Sequence, residues 1–302
     1  MALTQIDFET ASCDLCGADG DQARQILSTR DRIYGMPGKF SLVRCESCGL
    51  LYLSPRPDRT QIGAYYPDLD YHAFRTSYGI KSRLLQLRYE REARALSAGL
   101  PDHSLALEIG CGTGELLAVL KKRGVQVIGI EPNHAAAQTA SQRHGLTVHV
   151  GMLDDLSDID LPHDCFDLVL MKYALEHVHN PREVLMRISR LLKPGGHGVF
   201  WLPNADSWEM RLFGARWRGL DPPRHLFIFT PTTVRHYATT VGLKVSSIAF
   251  SGVPNDWAGS LSEALSSSLP VLAALWPVSA TAALFHNAGR IRVTLTKPAH
   301  PT

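Results

Sequence analysis

Cys13, Cys16, Cys45 and Cys48 stand in two C-x-x-C pairs, each followed by a glycine, Gly17 and Gly49. Four thiolates presented from two tight turns can enclose one Zn²⁺ tetrahedrally. Such a closed shell leaves no open coordination position, so this metal is expected to hold a fold together, with redox dithiol chemistry as the alternative. Glu108 precedes the turn Gly110-Cys111-Gly112-Thr113-Gly114, and Glu131 follows it by roughly 20 residues, the distance at which a carboxylate can accept both hydroxyls of a ribose. His177 lies in Leu175-Glu176-His177-Val178, and Arg224 and His225 lie in a proline-stiffened loop after Asp221-Pro222-Pro223. An imidazole titrates near neutral pH and can take or give a proton there, or simply fix loop geometry through the backbone.

These residues need elements to hold them. Leu105–Ile109 reads as a buried strand that runs into the glycine turn and then into a helix whose apolar stripe is Leu116, Leu117 and Leu120, closed by Gly124. A dinucleotide fingerprint would place its third glycine at position 115, where Glu stands, and no Walker lysine follows. The turn therefore suits a ligand without a diphosphate. Beyond it the pattern alternates strand and helix. Val125–Ile130 is a strand ending at Glu131, Pro132 is expected to start a helix stopped by Gly145, and Thr147–Val150 is a third strand. Phe166–Met171 is a buried strand, Pro181 opens a helix broken at Gly195-Gly196, and Gly198–Leu202 and Lys244–Phe250 are further strands. Ile291–Thr296 is the last strand. The fold class expected is α/β, a Rossmann-like doubly wound seven-stranded sheet with its last strand antiparallel, carrying a small N-terminal zinc ribbon. The ribbon is expected over 1–56, an aromatic linker and amphipathic helix over 57–100, and the main domain over 101–302 with insertions at 205–230 and 252–290.

With 302 residues at 45% hydrophobic composition, the chain can bury a full core. Lys plus Arg at 31 against Asp plus Glu at 29 gives no field suited to a dedicated nucleic-acid binder. The N-terminus has neither a basic nor an apolar signal region, so a cytoplasmic location is expected. No charged residue occurs from Ala264 to Gly289. Pro270 and Pro277 argue against a membrane crossing, and a pair of short helices that covers the pocket or forms a homodimer is expected, with peripheral bilayer contact as the alternative.

The glycine turn, Glu131, Phe166-Asp-Leu-Val-Leu170, Leu175-Glu-His-Val178 and Leu191-Leu-Lys-Pro-Gly-Gly196 together resemble the class I S-adenosylmethionine (SAM)-dependent methyltransferases. Joined to the two cysteine pairs and the Pro223-Arg-His-Leu-Phe-Ile-Phe-Thr230 loop, they are similar to bacterial zinc-ribbon methyltransferases that include sugar and natural-product enzymes. The resemblance runs to about residue 250 and departs from the sugar C-methyltransferases beyond it, so C-methylation of a nucleotide sugar is not specifically expected.

The resemblance implies SAM as methyl donor, its amino acid portion and sulfonium against Gly110, Gly112 and Gly114, Glu108 beneath the turn, Glu131 on the ribose, and Met152 and Leu153 beside the adenine. His225 is the expected general base and His177 a secondary candidate. Tyr66, Tyr71 and Arg224 are expected at the substrate. The expected function is methyl transfer to a small-molecule acceptor, whether nucleotide sugar, polyketide or lipid-linked, by O- or C-methylation. RNA methylation through the ribbon and a non-catalytic SAM-fold interaction module are the alternatives.

Overall fold

The computed structural model describes residues 7–66, 80–152 and 161–299. Short strands β1 (Phe8–Glu9) and β5 (Arg56–Pro57) bracket β2 (Ala23–Thr29), β3 (Phe40–Cys45) and β4 (Leu51–Leu53). Helix α1 (Ile80–Ser97) leads into β6 (Leu105–Ile109), α2 (Glu115–Lys122), β7 (Gln126–Glu131), α3 (His134–His144), β8 (Thr147–Val150) and β9 (Phe166–Lys172). The rest is α4 (Pro181–Leu191), β10 (Leu192–Pro203), α5 (Trp208–Phe213), β11 (Phe227–Ile228), α6 (Pro231–Thr240), β12 (Lys244–Ser251), α7 (Pro254–Leu261), α8 (Leu269–Leu284) and β13 (Arg290–Thr296).

Seven of these strands form one sheet in the order β12-β13-β10-β9-β6-β7-β8. The pairs from β10 to β8 are parallel, and β13 runs antiparallel to both of its neighbours. The doubly wound sheet with a reversed last strand is thus the architecture expected from the alternating pattern. β6 and β9 lie side by side in its middle although α2, β7, α3 and β8 come between them in sequence. Connections leave these two strands in opposite directions, which opens a crevice at their carboxyl ends. Strand β9 is buried along Phe166–Met171, as a central parallel strand covered on both faces must be. Helix α4 supplies one cover through Val184, Leu185 and Ile188, each at most 2% exposed, and α2 another through Leu116, Leu117 and Leu120.

Two element boundaries differ from expectation. Pro132 lies outside α3, because the Asn133 side chain accepts from the Ala136 N–H at 2.9 Å and so becomes the N-cap. Helix α4 stops at Leu191, well before the glycine pair, and β10 starts at once. Gly195, with φ of 82°, sits within the register shift between Leu192 and His197.

The ribbon is a four-stranded sheet, β11-β4-β3-β2, whose outer strand β11 comes from the loop after Pro223. Phe227 pairs with Tyr52 and Ile228 with Leu51. Side chains of the ribbon, among them Phe40, Leu42, Tyr52 and Tyr65, share one buried core with Met171, Leu185 and Phe229 of the main domain.

The uncharged stretch forms one long helix, α8, and not the expected pair of short ones; the helix it packs beside, α7, precedes the stretch and carries Asp256. Leu269, Trp276 and Leu284 on α8 are each more than 60% exposed. Among the described residues no helix is long and apolar enough to cross a membrane.

Candidate functional site

The glycine turn floors a cavity of about 380 Å³. Glu108 and Gly110 to Leu116 (Gly114 excepted) form one side, Tyr89 comes from α1, and Lys172 and Tyr173 come from the end of β9. His177, Arg218, Asp221, His225, Asp256 and Arg290 complete the lining, and Ile33 reaches it from the ribbon. The donor loop and the proline-stiffened loop therefore face a single space.

Backbone conformation decides where glycine is needed. Gly110 has φ of 74°, and a Cβ there would sit 3.0 Å from the Ala174 Cβ. Gly114 has φ of 81°, and a Cβ there would lie 2.5 Å from Leu146 Cδ1 and 2.9 Å from the Ala140 Cβ. Gly114, expected against the donor, is thus required by the close approach of α3 to the turn. Gly112 is tied down by its N–H, which donates to Glu131 Oε2 at 2.8 Å. The other oxygen of Glu131 accepts from the Asn133 N–H at 2.8 Å, so this carboxylate splints the turn to the start of α3. Burial raises its pKa, and these two N–H donors pull it back. Each carboxylate oxygen retains a second lone pair, so the ribose role expected for Glu131 is compatible with both bonds.

Glu108 is 3% exposed, and its Oε2 has no hydrogen-bond partner among the described residues. Burial pushes its carboxyl up to about 8, against the pull of the Lys172 ammonium. Lys172 itself is ion-paired with Glu92 of α1 and lies over the rings of Tyr89 and Trp201 at 5.2 Å each. An orphaned acidic oxygen beside a glycine turn, in a cavity of this size, fits a ligand carrying an ammonium group such as the amino acid portion of SAM. Met152 lies half-buried just after β8, while Leu153 and Tyr71 fall outside the described residues.

Two imidazoles stand at the other side. Nδ1 of His225 lies 2.9 Å from the Gly219 carbonyl, and Nδ1 of His177 lies 3.0 Å from the Arg224 carbonyl and 2.9 Å from the Tyr66 hydroxyl. A carbonyl only accepts, so Nδ1 of His225 carries the proton and its Nε2 presents a lone pair, whereas Nδ1 of His177 faces both a carbonyl and a hydroxyl that can give or take a proton. Their ring centroids are 4.7 Å apart, close to edge-on at 79°. Burial lowers the pKa of both, that of His177 to about 3 with His225 adding to the effect. Tyr66, expected at the substrate, is placed by this bond to orient His177.

Glu176 is the residue that sequence reasoning missed. It is fully buried, neither carboxylate oxygen has a hydrogen-bond partner among the described residues, and burial pushes it up to about 8. His225 Nε2 lies 3.9 Å from Glu176 Oε1 and 4.0 Å from Asp221 Oδ2. Its position beside His177 was the available signal, but nothing local shows that the side chain turns inward.

Arg224, expected at the substrate, has another task. It is fully buried, Nη1 and Nη2 donate to the two oxygens of Asp31 at 2.9 and 2.8 Å, and Nε and Nη2 donate to Asp221. Nη1 also reaches the Tyr65 carbonyl at 3.1 Å, and the guanidinium lies 4.6 Å from the Tyr34 ring centroid. All five N–H donors are engaged inside the protein, which leaves none for a ligand. The cationic groups on the cavity wall are instead Arg218, Arg290 and Lys172, and Arg290 is held by both oxygens of Asp256.

Away from the cavity, the four ribbon cysteines converge. Cys13 and Cys48 sulfurs are 3.4 Å apart, Cys16 and Cys45 sulfurs 3.6 Å, and all four lie within 4.8 Å of one another. Tetrahedral Zn–S bonds of about 2.3 Å put sulfurs roughly 3.8 Å apart, so the donors fit one zinc ion. These two cysteine pairs would hold it, and its contribution there would be to cross-link the turn between β1 and β2 to the turn between β3 and β4.

A family model described as a methyltransferase domain matches residues 82–248, more than half of the chain. Ubiquinone biosynthesis O-methyltransferase of Alkalilimnicola ehrlichii is 35% identical over 119 residues, covering 37% of this chain and 47% of that protein. The chain thus spans about half the length of this relative. The protein of the same name from Rhodopseudomonas palustris is 30% identical over 184 residues, 56% of this chain and 70% of its own. Among solved structures, the [4+2]-cyclase SpnF superposes with a TM-score of 0.54 at 18% identity, covering 81% of this chain and 98% of that one. The complex of the Haloferax volcanii Trm112 methyltransferase activator with a methyltransferase gives 0.53 at 19% identity, with 72% and 94% covered. Likeness at such identity concerns the fold alone.

Proposed function

The chain belongs to the methyltransferase-domain family of class I SAM-dependent enzymes, and from that membership we propose that it transfers the SAM methyl group to a hydroxyl oxygen of a small-molecule acceptor held in the cavity. When bound, SAM supplies a methyl group already activated by the positive charge on sulfur. The protein then has to position the acceptor in line with that methyl and remove one proton. Glu108 and the glycine turn hold the donor's amino acid portion, and Glu131 holds the turn in register with α3. Tyr89 and Tyr173 offer aromatic walls to the acceptor. His177 and His225 activate its hydroxyl.

The observation that carries this reading is the state of His225. Its Nδ1 proton is committed to the Gly219 carbonyl, which leaves Nε2 as a hydrogen-bond acceptor on the wall of the same cavity that the glycine turn floors. Support for an oxygen acceptor comes from the relatives named for ubiquinone biosynthesis O-methylation. The exposed apolar side chains of α8 suit an acceptor with a lipid-linked portion better than a free nucleotide sugar. A cavity of about 380 Å³ enclosed between the ribbon and α7 favours a small molecule over RNA. The test is transfer of labelled methyl from SAM across a panel of phenolic, polyketide, glycosidic and lipid-linked hydroxyl compounds. His225→Ala is expected to lower the rate about 100-fold or more while SAM still binds. Wild-type turnover in that variant refutes the assignment of His225.

A further inference from the structure

We infer that Glu176, His177 and His225 form a binding site for one divalent transition-metal cation, separate from the four-cysteine site. One ligand atom from each of these three side chains lies within 4.8 Å of the other two. Zn–N and Zn–O bonds of about 2.0–2.2 Å put ligand atoms a little over 3 Å apart, so closing on a cation asks for movements of about 1 Å.

Three features of the set point the same way. First, Nδ1 of His225 gives its proton to the Gly219 carbonyl, and Nδ1 of His177 is engaged by the Arg224 carbonyl and the Tyr66 hydroxyl. Nε2 is then the ring nitrogen outside these bonds in both residues, and for His225 the carbonyl bond fixes the tautomer whose Nε2 can ligate, the outer-shell arrangement that metal-bound histidines use. Second, Glu176 is 0% exposed with both oxygens unpartnered among the described residues. A buried carboxylate in that condition is expensive unless a cation or a proton satisfies it. Third, the proline-stiffened loop that carries His225 is anchored from both sides. Leu226 N–H donates to the Glu176 carbonyl at 2.8 Å, and Arg224 is locked between Asp31 and Asp221. The three ligands therefore sit on one cross-braced unit.

The donor types select the ion. Two imidazole nitrogens and one carboxylate favour Zn²⁺, Fe²⁺ or Co²⁺ over Mg²⁺ or Ca²⁺, which want oxygen. Three protein ligands leave a position open to an exogenous oxygen, unlike the closed shell at the cysteines. His177 and His225 both line the methyl-transfer cavity. A cation there would lower the pKa of an acceptor hydroxyl. The hydroxyl gives its proton to water, its oxygen forms the new bond to the methyl carbon, and the sulfur keeps the electron pair of the bond that breaks. This role rests on the methyl-transfer reading above, with His225 then acting as a ligand and not as the proton acceptor. Cation binding itself does not depend on that reading.

The test is a Co²⁺ titration of the metal-free full chain, without donor or acceptor, followed by absorption spectroscopy and total metal analysis. Two cations per chain are expected. One gives the intense thiolate charge-transfer bands of a four-sulfur site, and the second gives weaker visible bands with no thiolate character. Glu176→Gln and His225→Ala are each expected to keep the first and lose the second, with SAM affinity reporting that the variants are folded. A wild-type chain that takes up one cation only, with thiolate bands, overturns the proposal, as does a second cation that persists in both variants. A chain that binds the second cation yet transfers no methyl to any hydroxyl compound keeps this site and refutes the functional reading instead.

Discussion

Arg224 donates to both carboxylate oxygens of Asp31, at 2.9 and 2.8 Å, although the two residues lie 193 positions apart. Asp31 belongs to the ribbon and Arg224 to the loop that bears His225, and neither side chain is exposed at all. Removing the arginine would leave Asp31 and Asp221 as uncompensated buried charges. Arg224→Met is therefore expected to destabilise the protein by about 3–5 kcal/mol, the cost of breaking a buried ion pair from one side. Urea unfolding of the two proteins checks this, and a loss under 1 kcal/mol would contradict the rivet assigned to Arg224.

The ribbon and the loop that bears His225 also share a sheet, through the pairing of Phe227 with Tyr52 and Ile228 with Leu51. Loosening the cysteine site should reach His225 by that route. With Cys45→Ser, amide exchange at Phe227 is expected to accelerate and methyl transfer to fall. SAM affinity should hold, because the glycine turn belongs to the other sheet. Unchanged exchange at Phe227 would separate the ribbon from the site.

Glu131 holds two backbone N–H groups, one on each oxygen. Charged hydrogen bonds of this kind contribute about 1.5–3 kcal/mol each, and losing about one bond's worth from the binding-ready turn would make Glu131→Ala weaken SAM binding about tenfold to a hundredfold, with Glu131→Gln intermediate. Calorimetric titration of SAM into the three proteins measures it. Equal affinities would mean that the turn keeps its shape without the splint.

Glu108 makes a pH-dependent prediction. Its folded-state pKa is raised from the ordinary 4.5 to about 8 by burial. A raised folded pKa gives stability that is complete below the unfolded value and is lost as pH climbs through the folded value. Wild type should therefore lose stability relative to Glu108→Gln between about pH 4.5 and 8, and the difference should level off above that. Thermal unfolding of both proteins across this range decides the matter, and parallel curves would show that Glu108 is ionised throughout.

Much of this molecule was legible along the chain because it depends on neighbours in sequence. The turn after Leu105–Ile109 needs glycine for its backbone, the two C-x-x-C pairs present sulfurs from tight turns, and the apolar stripe of α4 repeats at helical spacing. Each is a local pattern, and each element formed within a residue or two of its expected place. The exceptions, the Asn133 cap and the early end of α4, are boundary effects of side-chain capping and of a bulge.

What the chain alone could not decide is which distant groups meet. Arg224 reads locally as a cation free to meet the substrate, and only Asp31 and Tyr65, brought over from far along the chain, together with Asp221 use up its donors. Glu176 reads as an ordinary surface acid in a turn, and burial turns it toward His225. Periodicity and spacing record the local preferences of the backbone, so they name the elements and the donor turn. Pairing between residues 52 and 227, or 31 and 224, depends on packing energy summed over the whole core, and it was tertiary structure that brought His177 and His225 together on the cavity wall with buried Glu176 beside them.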